Sequence, residues 1–328
     1  MSSRRPGASQ HDALRRSLEA GRVIPADHPP LNVQLQTTSA CNGRCVFCPH
    51  PESWQREHPG VMAEPLFRRI IRQLEGRRVG KLLPYLENEP LCDPDIFARL
   101  DHALARLDPT MLNLATNAAL LDAAHLDDLA RVCRGVKHEL WISFHGADRE
   151  SYEAITGLPF ARTLDNVVAL MDRAQTDDLN LRIRGAGQPR LDDDDLPRWF
   201  DEASYRAFWD GIFARHRFRR LPVVEFFSYH DRAGNVRRNQ ASFGDRVRRD
   251  LTGAYCMRVD CWLHFLYTGE LILCCMDYRK ETVLGDASRQ DLDQIFASPT
   301  YLELARRAAG LEEAEEEFIC RRCCSPGG

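Results

Sequence analysis

The sequence lacks the features that mark exported, membrane-spanning or nucleic-acid-binding proteins. No apolar run approaches the length that spans a bilayer, and the arginine-containing start is not followed by the apolar segment of a secretory signal. A long basic block is also missing, and 44 Lys and Arg against 48 Asp and Glu give a net charge of −4. These absences argue against export, membrane insertion and nucleic acid as the main partner, and they predict a cytoplasmic protein.

Cysteine, in contrast, is abundant, with 12 among 328 residues. Because the chain shows no export signal, reduced thiols that ligate metal are favoured over disulfides. Cys92 and Cys133 stand alone and are expected to be small buried hydrophobic residues. Three others form a tight group, and the remaining seven lie near the other end of the chain: Cys256, Cys261, Cys274, Cys275, Cys320, Cys323 and Cys324.

Between residues 31 and 228 the apolar runs alternate between strand and helix periodicity. Strands that alternate with helices imply right-handed βαβ units and a parallel sheet. The pattern fits both a partly closed barrel and an open doubly wound sheet, and in either one the chemistry collects at the carboxyl ends of the strands. The strand candidates are 32–38, 79–87, 111–116, 137–146, 179–185 and 221–228, and the helices between them are 64–76, 94–107, 123–133, 161–174 and 205–217.

Polar and reactive side chains follow every one of these strand candidates, where a purely structural barrel would need only turn residues. We therefore expect a functional site at this edge of the sheet. In chain order the groups are Cys41, Cys45 and Cys48; Glu87, Asn88 and Glu89; Thr116 and Asn117; Ser143 and His145; Arg182 and Arg184; and Tyr229, His230 and Asp231.

The first group has the spacing C-x3-C-x2-C, for which three interpretations are open. A zinc site normally has four ligands from paired C-x2-C elements, and a disulfide would leave the third thiol unused. A 4Fe–4S cluster held by Cys41, Cys45 and Cys48 would leave one iron free to bind a substrate or cofactor. The short loop must then pass from one corner of the cluster to the next, and Gly43 helps the backbone turn.

This motif, with the aromatic Phe47 before the last cysteine and at the end of a first strand, resembles the signature of radical S-adenosylmethionine (radical SAM) enzymes. The resemblance implies a partial (β/α)6 TIM-like barrel whose open iron chelates the amino and carboxylate groups of SAM. One electron, from a flavodoxin- or ferredoxin-type donor, then cleaves the sulfonium C–S bond. The resulting 5′-deoxyadenosyl radical abstracts a substrate hydrogen, while the protein orients and shields the reaction.

Several cofactor-binding residues carry over from the family to this chain. Phe47 matches the aromatic beside the adenine. In the sequence "NEP", Glu89 matches the acidic residue that accepts hydrogen bonds from the SAM ammonium, and Asn88 replaces the usual glycine. Asn117 matches the asparagine of a Thr-Asn-Gly element, with Ala118 in place of its glycine.

Two further positions match more general features of the family. Ser143 and Arg184 fall where the ribose hydroxyls and the carboxylate of SAM are often held. The resemblance therefore implies that they complete the SAM site at the ends of the fourth and fifth strands.

The C-terminal cysteines have a second pattern, in which Cys256, Gly269 and Cys274 are followed by a distant Cys320-x2-Cys323. This resembles the SPASM and twitch extensions of the same family. Because the chain ends soon after Cys323, we expect the shorter twitch version, with one auxiliary 4Fe–4S cluster ligated by these four cysteines. A zinc knuckle from the same residues is the alternative. A β-hairpin is predicted to turn near Thr268 and Gly269.

Three cysteines are left over from this pattern: Cys261, Cys275 and Cys324. They are bystanders in the simplest interpretation, although Cys275 could replace Cys274 as a ligand or donate a hydrogen atom to a substrate radical. The predicted organisation is a disordered or loosely packed arm (1–30), a radical SAM core (31–235), a linker (236–255) and a twitch/SPASM-like domain (256–328).

The predicted substrate is a small polar natural-product intermediate, such as a sugar, aminocyclitol or nucleoside of an antibiotic pathway. The net reaction would be dehydrogenation, epimerisation or decarboxylation, with Glu87 or His145 as general base. A peptide maturase is the alternative, although about 30 residues before the first strand are few for a leader-binding domain. A non-catalytic electron carrier conflicts with the open three-cysteine site. Other polar residues placed to meet a substrate are Tyr85, Arg182, Glu225, Tyr229 and His230.

Overall fold

Alternating strands and helices form the framework of the computed structural model, which describes residues 8–21, 29–187, 200–228, 231–236, 247 and 249–324. The strands are β1 (Leu31–Leu35), β2 (Val79–Leu83), β3 (Met111–Thr116), β4 (His138–Ser143), β5 (Leu181–Gly187), β6 (Val223–Ser228), β7 (Trp262–Phe265), β8 (Glu270–Ile272) and β9 (Val283–Asp286).

The helices follow the strands closely in the first two thirds of the chain, and none in the described part has the length and apolar character of a membrane span. They are α1 (Ala8–Glu19), α2 (Trp54–Glu57), α3 (Glu64–Leu74), α4 (Ile96–Leu104), α5 (Ala123–Cys133), α6 (Arg149–Thr156), α7 (Phe160–Arg173), α8 (Glu202–His216), α9 (Met257–Cys261), α10 (Leu292–Phe296) and α11 (Pro299–Ala308).

The spacing of apolar residues explains why these segments are helical and how they pack. In α3 the buried side chains are Phe67, Ile70, Ile71 and Leu74, which follow the i, i+3, i+4, i+7 spacing of one helix face. Burying each such side chain stabilises the fold by about 1.5–3 kcal/mol. The helix therefore docks through a single apolar stripe and keeps its charged residues in solvent.

All nine strands belong to one sheet with the order β6-β5-β4-β3-β2-β1-β7-β8-β9. The pairings from β6 through β7 are parallel, and the pairings of β7 with β8 and of β8 with β9 are antiparallel. The predicted six parallel strands and the hairpin are thus confirmed. The sheet differs in one respect, because β7 extends the parallel part as a seventh strand instead of lying in a separate sheet.

Strand register gives the sheet one apolar and one polar face. Residues such as Leu140, Ile142 and Ile183 are buried on the apolar face. Alternate residues point to the opposite side, which carries most of the polar strand residues. This polar face includes the paired positions Asn32 and Trp262, Gln34 and His264, Asn113 and Glu139, Trp141 and Arg182, Ser143 and Arg184, and Arg184 and Glu225.

The N-terminal segment is more ordered than the sequence suggested. Helix α1 packs against α11, with Leu14 and Leu18 buried, and Arg306 Nη2 donates a hydrogen bond to Leu18 O at 2.8 Å. The prediction of a loosely packed arm is therefore wrong for this part. Two leucines four residues apart are too short a stripe to be recognised without knowing their partner. The predicted linker lies mostly outside the described residues.

Candidate active site

The loop that carries the first three cysteines is fixed to the end of α6. The N–H groups of Arg44 and Val46 donate to the carbonyl oxygens of Thr156 and Ile155, at 2.8 and 2.9 Å. Gly157, with φ +67°, ends α6 at this point, and a left-handed residue there is most easily a glycine. Backbone hydrogen bonds thus anchor the cysteine loop to the end of α6.

The three thiols of this loop are close together and removed from solvent. Burial raises the pKa of Cys45 well above its ordinary value, and the neighbouring Cys48 and Cys41 raise it further. Burial likewise raises the pKa values of Cys41 and Cys48. Without a metal these groups are therefore neutral thiols, whereas bound iron would hold them as thiolates.

A buried carboxylate joins the ends of the first three strands. Glu89 Oε1 accepts from Thr116 Oγ1 at 2.6 Å, and Oε2 accepts from Asn117 N at 2.8 Å. Asn117 Nδ2 in turn donates to Asn42 Oδ1, within the cysteine loop, at 2.7 Å. These bonds bring the predicted cofactor-binding residues Glu89 and Asn117 to the edge of the three-thiol site.

The charge of Glu89 has no cationic partner among the residues that the structure describes. Its side chain is 3% exposed, and burial raises its pKa to about 7, against the lowering effect of the hydrogen bonds from Thr116 and Asn117. A buried carboxylate is stable when it is paired. Glu89 is therefore suited to a ligand that brings a positive charge.

Two departures from the family motif have visible consequences. Ala118, at the position of the motif glycine, has φ +62°, which costs an alanine about 1–2 kcal/mol. Asn88 Oδ1 accepts from Leu86 N at 3.1 Å, while its buried Nδ2 has no partner. Ala118 thus has the left-handed backbone conformation that a glycine would adopt, and the Nδ2 amide of Asn88 has no hydrogen-bond acceptor among the described residues.

Phe47 and His145 meet beside this site, with ring centroids 4.9 Å apart and an edge-to-face angle of 85°. His145 Nδ1 accepts from Ala186 N at 3.0 Å, so the neutral ring carries its proton on Nε2. Burial, together with Arg184 and Arg232, lowers its pKa to about 3. His145 is therefore a neutral hydrogen-bond donor, which disfavours the predicted role of general base.

Arg184 is occupied by protein partners. Its guanidinium lies 4.2 Å from the centroid of the Trp141 ring and 4.8 Å from that of Phe227, and its Nε is 3.0 Å from Glu225 Oε2. Ser143 is its neighbour in the strand register. The two predicted SAM-binding residues are thus adjacent, but an ion pair already engages the arginine.

Further ionic bonds and hydrogen bonds cross the polar face of the sheet. Arg182 bridges Glu139 at 3.1 Å and Glu225 at 2.7 Å. The Tyr85 hydroxyl donates to Asn113 Oδ1 at 2.5 Å. Tyr85 follows the end of β2, whereas Arg182 and Glu225 lie near the beginnings of β5 and β6, because these strands begin at Leu181 and Val223. The prediction that Arg182 follows the fifth strand is therefore wrong. Tyr229 and His230 lie outside the described residues.

Glu87 lies between the three-thiol loop and the C-terminal cysteines. Gln55 donates to its Oε2, while its buried Oε1 has no partner. Burial raises the pKa of Glu87 well above its ordinary value, and nearby Asp277 and Cys275 raise it further. One carboxylate oxygen is thus fixed and the other remains available.

Arg232 is a site residue that sequence reasoning missed. Its positive charge acts on Glu87, Cys275 and His145 alike, so Arg232 lies near all three groups. Its backbone has φ +51°, an uncommon conformation that often marks functional positions. The sequence analysis selected the preceding residue, Asp231, but not Arg232.

The C-terminal cysteines surround a second site. The ionisable groups that act most strongly on Arg258 are the thiols of Cys275, Cys274, Cys256 and Cys323. Cys320 is one short turn away, with Cys323 N donating to Cys320 O at 3.4 Å. The structure thus brings the predicted auxiliary-cluster cysteines into one region.

The remaining cysteines have different surroundings. Cys324 Sγ donates to Asp231 Oδ1 at 2.7 Å, and Cys261 Sγ donates to Met257 O at 3.4 Å. Cys275 stays beside Cys274 and Arg258. Cys133 is buried as predicted, whereas Cys92 is only half-buried, and burial and then Glu89 raise its pKa to about 11.

These residues fit iron–sulfur clusters better than single metal ions. Within the described ranges, no three His, Cys, Asp or Glu side chains are grouped closely enough to hold one ion. In a cluster each thiolate binds a different iron, so the sulfurs need not converge on one point. The parallel sheet and the two thiol sites at its edge define an iron–sulfur protein of α/β-barrel type.

Comparison with protein-family models identifies the family. The Radical SAM superfamily model matches residues 35–203, which is more than half of the chain. This chain belongs to the radical SAM superfamily. The SPASM model, an iron–sulfur cluster-binding domain, matches residues 256–324. The protein is therefore an enzyme that uses SAM, a SAM-binding 4Fe–4S cluster and an auxiliary iron–sulfur cluster.

Solved structures of low sequence identity share the fold. Streptococcus suis SuiB bound to precursor peptide SuiA gives a TM-score of 0.62 at 14% identity, over 92% of this chain and 72% of SuiB. Native anSMEcpe with bound AdoMet and Cp18Cys peptide gives 0.56 at 15%, over 90% of each chain. BtrN in complex with AdoMet and 2-DOIA gives 0.52 at 14%, over 87% of this chain and 89% of BtrN. A search of curated proteins gives no match.

Proposed function

We propose that this enzyme abstracts a hydrogen atom from a small polar molecule held between the two cysteine sites. The net reaction is dehydrogenation, epimerisation or decarboxylation of a sugar, aminocyclitol or nucleoside. The observation that carries the proposal is the group formed by Glu87, His145 and Cys275 near the charge of Arg232, which supplies a carboxyl group, a neutral donor, a cysteine sulfur and a cation. Such a group suits a compact substrate with several hydroxyl or amino groups.

Cys41, Cys45 and Cys48 would hold the SAM-binding cluster, and Glu89 would accept hydrogen bonds from the SAM ammonium. When bound, the cluster and SAM supply the radical chemistry. Asn117 would hold Glu89 through its N–H and the cysteine loop through its amide. Phe47 would pack beside the adenine, and Asn88, Ser143 and Arg184 would line the remainder of the SAM site.

Glu87 is the proposed general base, because Gln55 fixes one of its oxygens and leaves the other available. His145 would orient a substrate oxygen through its Nε2–H. Cys275 would be positioned to return a hydrogen atom if the net reaction is an epimerisation. Each of these residues acts on the substrate side of the site.

The alternative is a peptide maturase, since the fold is shared with SuiB bound to a precursor peptide as well as with BtrN bound to 2-DOIA. The charged polar face favours the small molecule, because its polar side chains suit a compact ligand with several hydroxyl or amino groups. This difference is accessible to experiment.

Anaerobic formation of 5′-deoxyadenosine tests the proposal. The reconstituted enzyme, with SAM and a chemical reductant, is assayed after addition of the small-molecule or the peptide fraction of a cell extract. We expect the small-molecule fraction to stimulate the reaction, and stimulation to survive protease treatment of the extract. Stimulation by the peptide fraction alone, lost after protease, would establish the maturase instead.

A further inference from the structure

The turn that carries Arg232, residues 231–236, has an uncommon backbone. Arg232, Ala233 and Gly234 are three consecutive residues with positive φ, at +51°, +56° and +77°. Only the glycine adopts this conformation without a steric cost, because the Cβ atoms of Arg232 and Ala233 disfavour it. Such strain persists only where the surrounding structure holds it in place. The contacts of this turn therefore decide where Arg232 lies.

The turn is largely buried and is closed by its first residue. Ala233 is 2% exposed and Val236 is 4% exposed. Asp231 Oδ2 accepts a hydrogen bond from Gly234 N at 3.1 Å, and Asp231 O accepts one from Val236 N at 2.9 Å. These bonds join the two ends of the turn to each other. They do not attach the turn to another part of the chain.

Asn235 attaches the turn to the SPASM region, residues 256–324. Its side chain is buried, and its Nδ2 amide donates one hydrogen bond to Arg232 O and one to Met276 O, each at 2.8 Å. Arg232 Nη1 lies 3.8 Å from Met276 Sδ. The backbone and the guanidinium of Arg232 are thus both held at Met276, the residue after Cys275.

A second attachment comes from the far end of the SPASM region. Cys324 Sγ donates to Asp231 Oδ1 at 2.7 Å, and Cys324 directly follows the proposed ligand Cys323. The turn is therefore attached to the SPASM region on both sides of Arg232, through Asp231 before it and Asn235 after it. The region that is proposed to bind the auxiliary cluster thus also supports the backbone of Arg232.

We propose that Asn235 is a positioning residue, which fixes Arg232 beside the substrate by tying its backbone to Met276. The inference rests on the proposed function, in which the positive charge of Arg232 lies near the substrate. Asn235 needs no contact with the substrate, because it acts through the conformation of the turn. The SPASM region then shapes the substrate site in addition to binding a cluster.

Two substitutions of Asn235 in the reconstituted enzyme test this role. Asn235→Ala removes both hydrogen bonds, and Asn235→Asp keeps the shape of the side chain but cannot donate them. Asn180→Ala is the matched control, because Asn180 Nδ2 donates to the backbone oxygen of His138 at 3.1 Å, just before the beginning of β5. Hydrogen exchange of residues 231–236, followed by mass spectrometry, reports the conformation of the turn without any substrate.

We expect the exchange rate of these amides to rise about tenfold in both Asn235 variants, because the bonds that hold the turn in place are lost. The amount of small-molecule fraction that gives half-maximal 5′-deoxyadenosine formation should rise about tenfold, since Arg232 is then misplaced. In an Arg232→Gln background, Asn235→Ala should cause no further rise, because residues that act as a unit are not additive. Asn180→Ala should change neither quantity.

Unchanged exchange in both Asn235 variants would overturn the proposal, and this result needs no substrate. Additive effects of Asn235→Ala and Arg232→Gln would overturn it as well, because Asn235 would then act independently of Arg232. Loss of iron from both Asn235 variants would assign the residue a structural role instead. A normal response of Arg232→Gln to the small-molecule fraction would remove Arg232 from the proposed function and the inference with it, and this outcome is distinguishable because Asn235 is intact.

Discussion

The two cysteine sites of this molecule have charged neighbours of opposite sign. The first has three buried thiols beside Glu89, a carboxylate that no cation pairs among the described residues. The second has four predicted ligand cysteines near Arg258, and a hydrogen bond with Cys274, together with the charges of Arg258 and Arg232, lowers the pKa of Cys275 there. The site with three cysteines thus has an acidic neighbour, and the site with four predicted ligand cysteines has a basic one.

The difference shows how one chain can specialise two similar clusters. A site with a missing thiolate and a spare negative charge is prepared for a cationic ligand, and SAM has an ammonium and a sulfonium. A site with four predicted thiolate ligands would complete its own coordination. The predicted ligand sets would thus leave the first cluster open to a further ligand and the second fully ligated.

The strongest contrast within the second site is between two adjacent cysteines. Cys323→Ala should remove the auxiliary cluster, because one of its four ligands is lost. Cys324→Ala should retain the cluster and lose only a hydrogen bond to Asp231, worth about 1–3 kcal/mol of stability. Iron content and the electron paramagnetic resonance signal of the two variants check this prediction. Equal iron in both variants would contradict the proposed ligand set.

The spare charge of the first site is tested by Glu89→Gln. We expect SAM affinity to fall roughly 100-fold, since losing one partner of a buried charge pair costs about 3 kcal/mol. Equilibrium dialysis with labelled SAM on the reconstituted protein measures the change, with iron content as the control for cluster assembly. Glu87→Gln, two residues earlier, should bind SAM normally, and unchanged affinity in Glu89→Gln would remove the charge argument.

The space between the sites is tested by pairing Glu87→Gln with His145→Gln. Product formation should fall about 100-fold or more in Glu87→Gln, the usual range for a lost general base, while 5′-deoxyadenosine formation continues. His145→Gln keeps an N–H donor and should lose less than about tenfold. Chromatography of both products gives the ratio, and the reverse order of effects would restore His145 as the base.

Substitutions of Ala118 test the backbone conformation of the proposed SAM site, and they have the smallest expected effect, which is on stability. Ala118→Gly relieves about 1–2 kcal/mol of left-handed strain but loses about 0.8 kcal/mol from a buried methyl group, so stability should change little. Ala118→Val should destabilise the fold by about 2 kcal/mol, because a β-branched residue tolerates this conformation poorly. Thermal unfolding of both variants supplies the comparison, and equal melting temperatures would contradict it.

Local sequence patterns predicted most of the fold. The third strand and the fifth helix have the predicted bounds, 111–116 and 123–133, and other elements shift by a few residues. The pairing of β7 with β1 was not predicted, because parallel strands far apart in sequence leave no local signal. Whether a predicted hairpin joins the main sheet or forms a separate sheet depends on tertiary packing.

The candidate site was predictable where a motif concentrates several residues, as in the cysteine loop and at Glu89. Arg232 and Arg258 were missed, because an arginine outside a motif looks like any of the 44 basic residues until its burial is known. The tautomer of His145 depends on the N–H of Ala186, on another strand. The alternation of residues in "HELWIS" did indicate that Glu139 lies on a polar face of the fourth strand.

The most direct test of the two-site account is the iron and sulfide content of anaerobically reconstituted protein. Wild type is compared with the Cys41/Cys45/Cys48→Ala variant. The account predicts about eight irons falling to about four, because the first cluster is lost while the auxiliary 4Fe–4S cluster remains. About four irons falling to none would contradict it, since the C-terminal cysteines would then hold no cluster of their own.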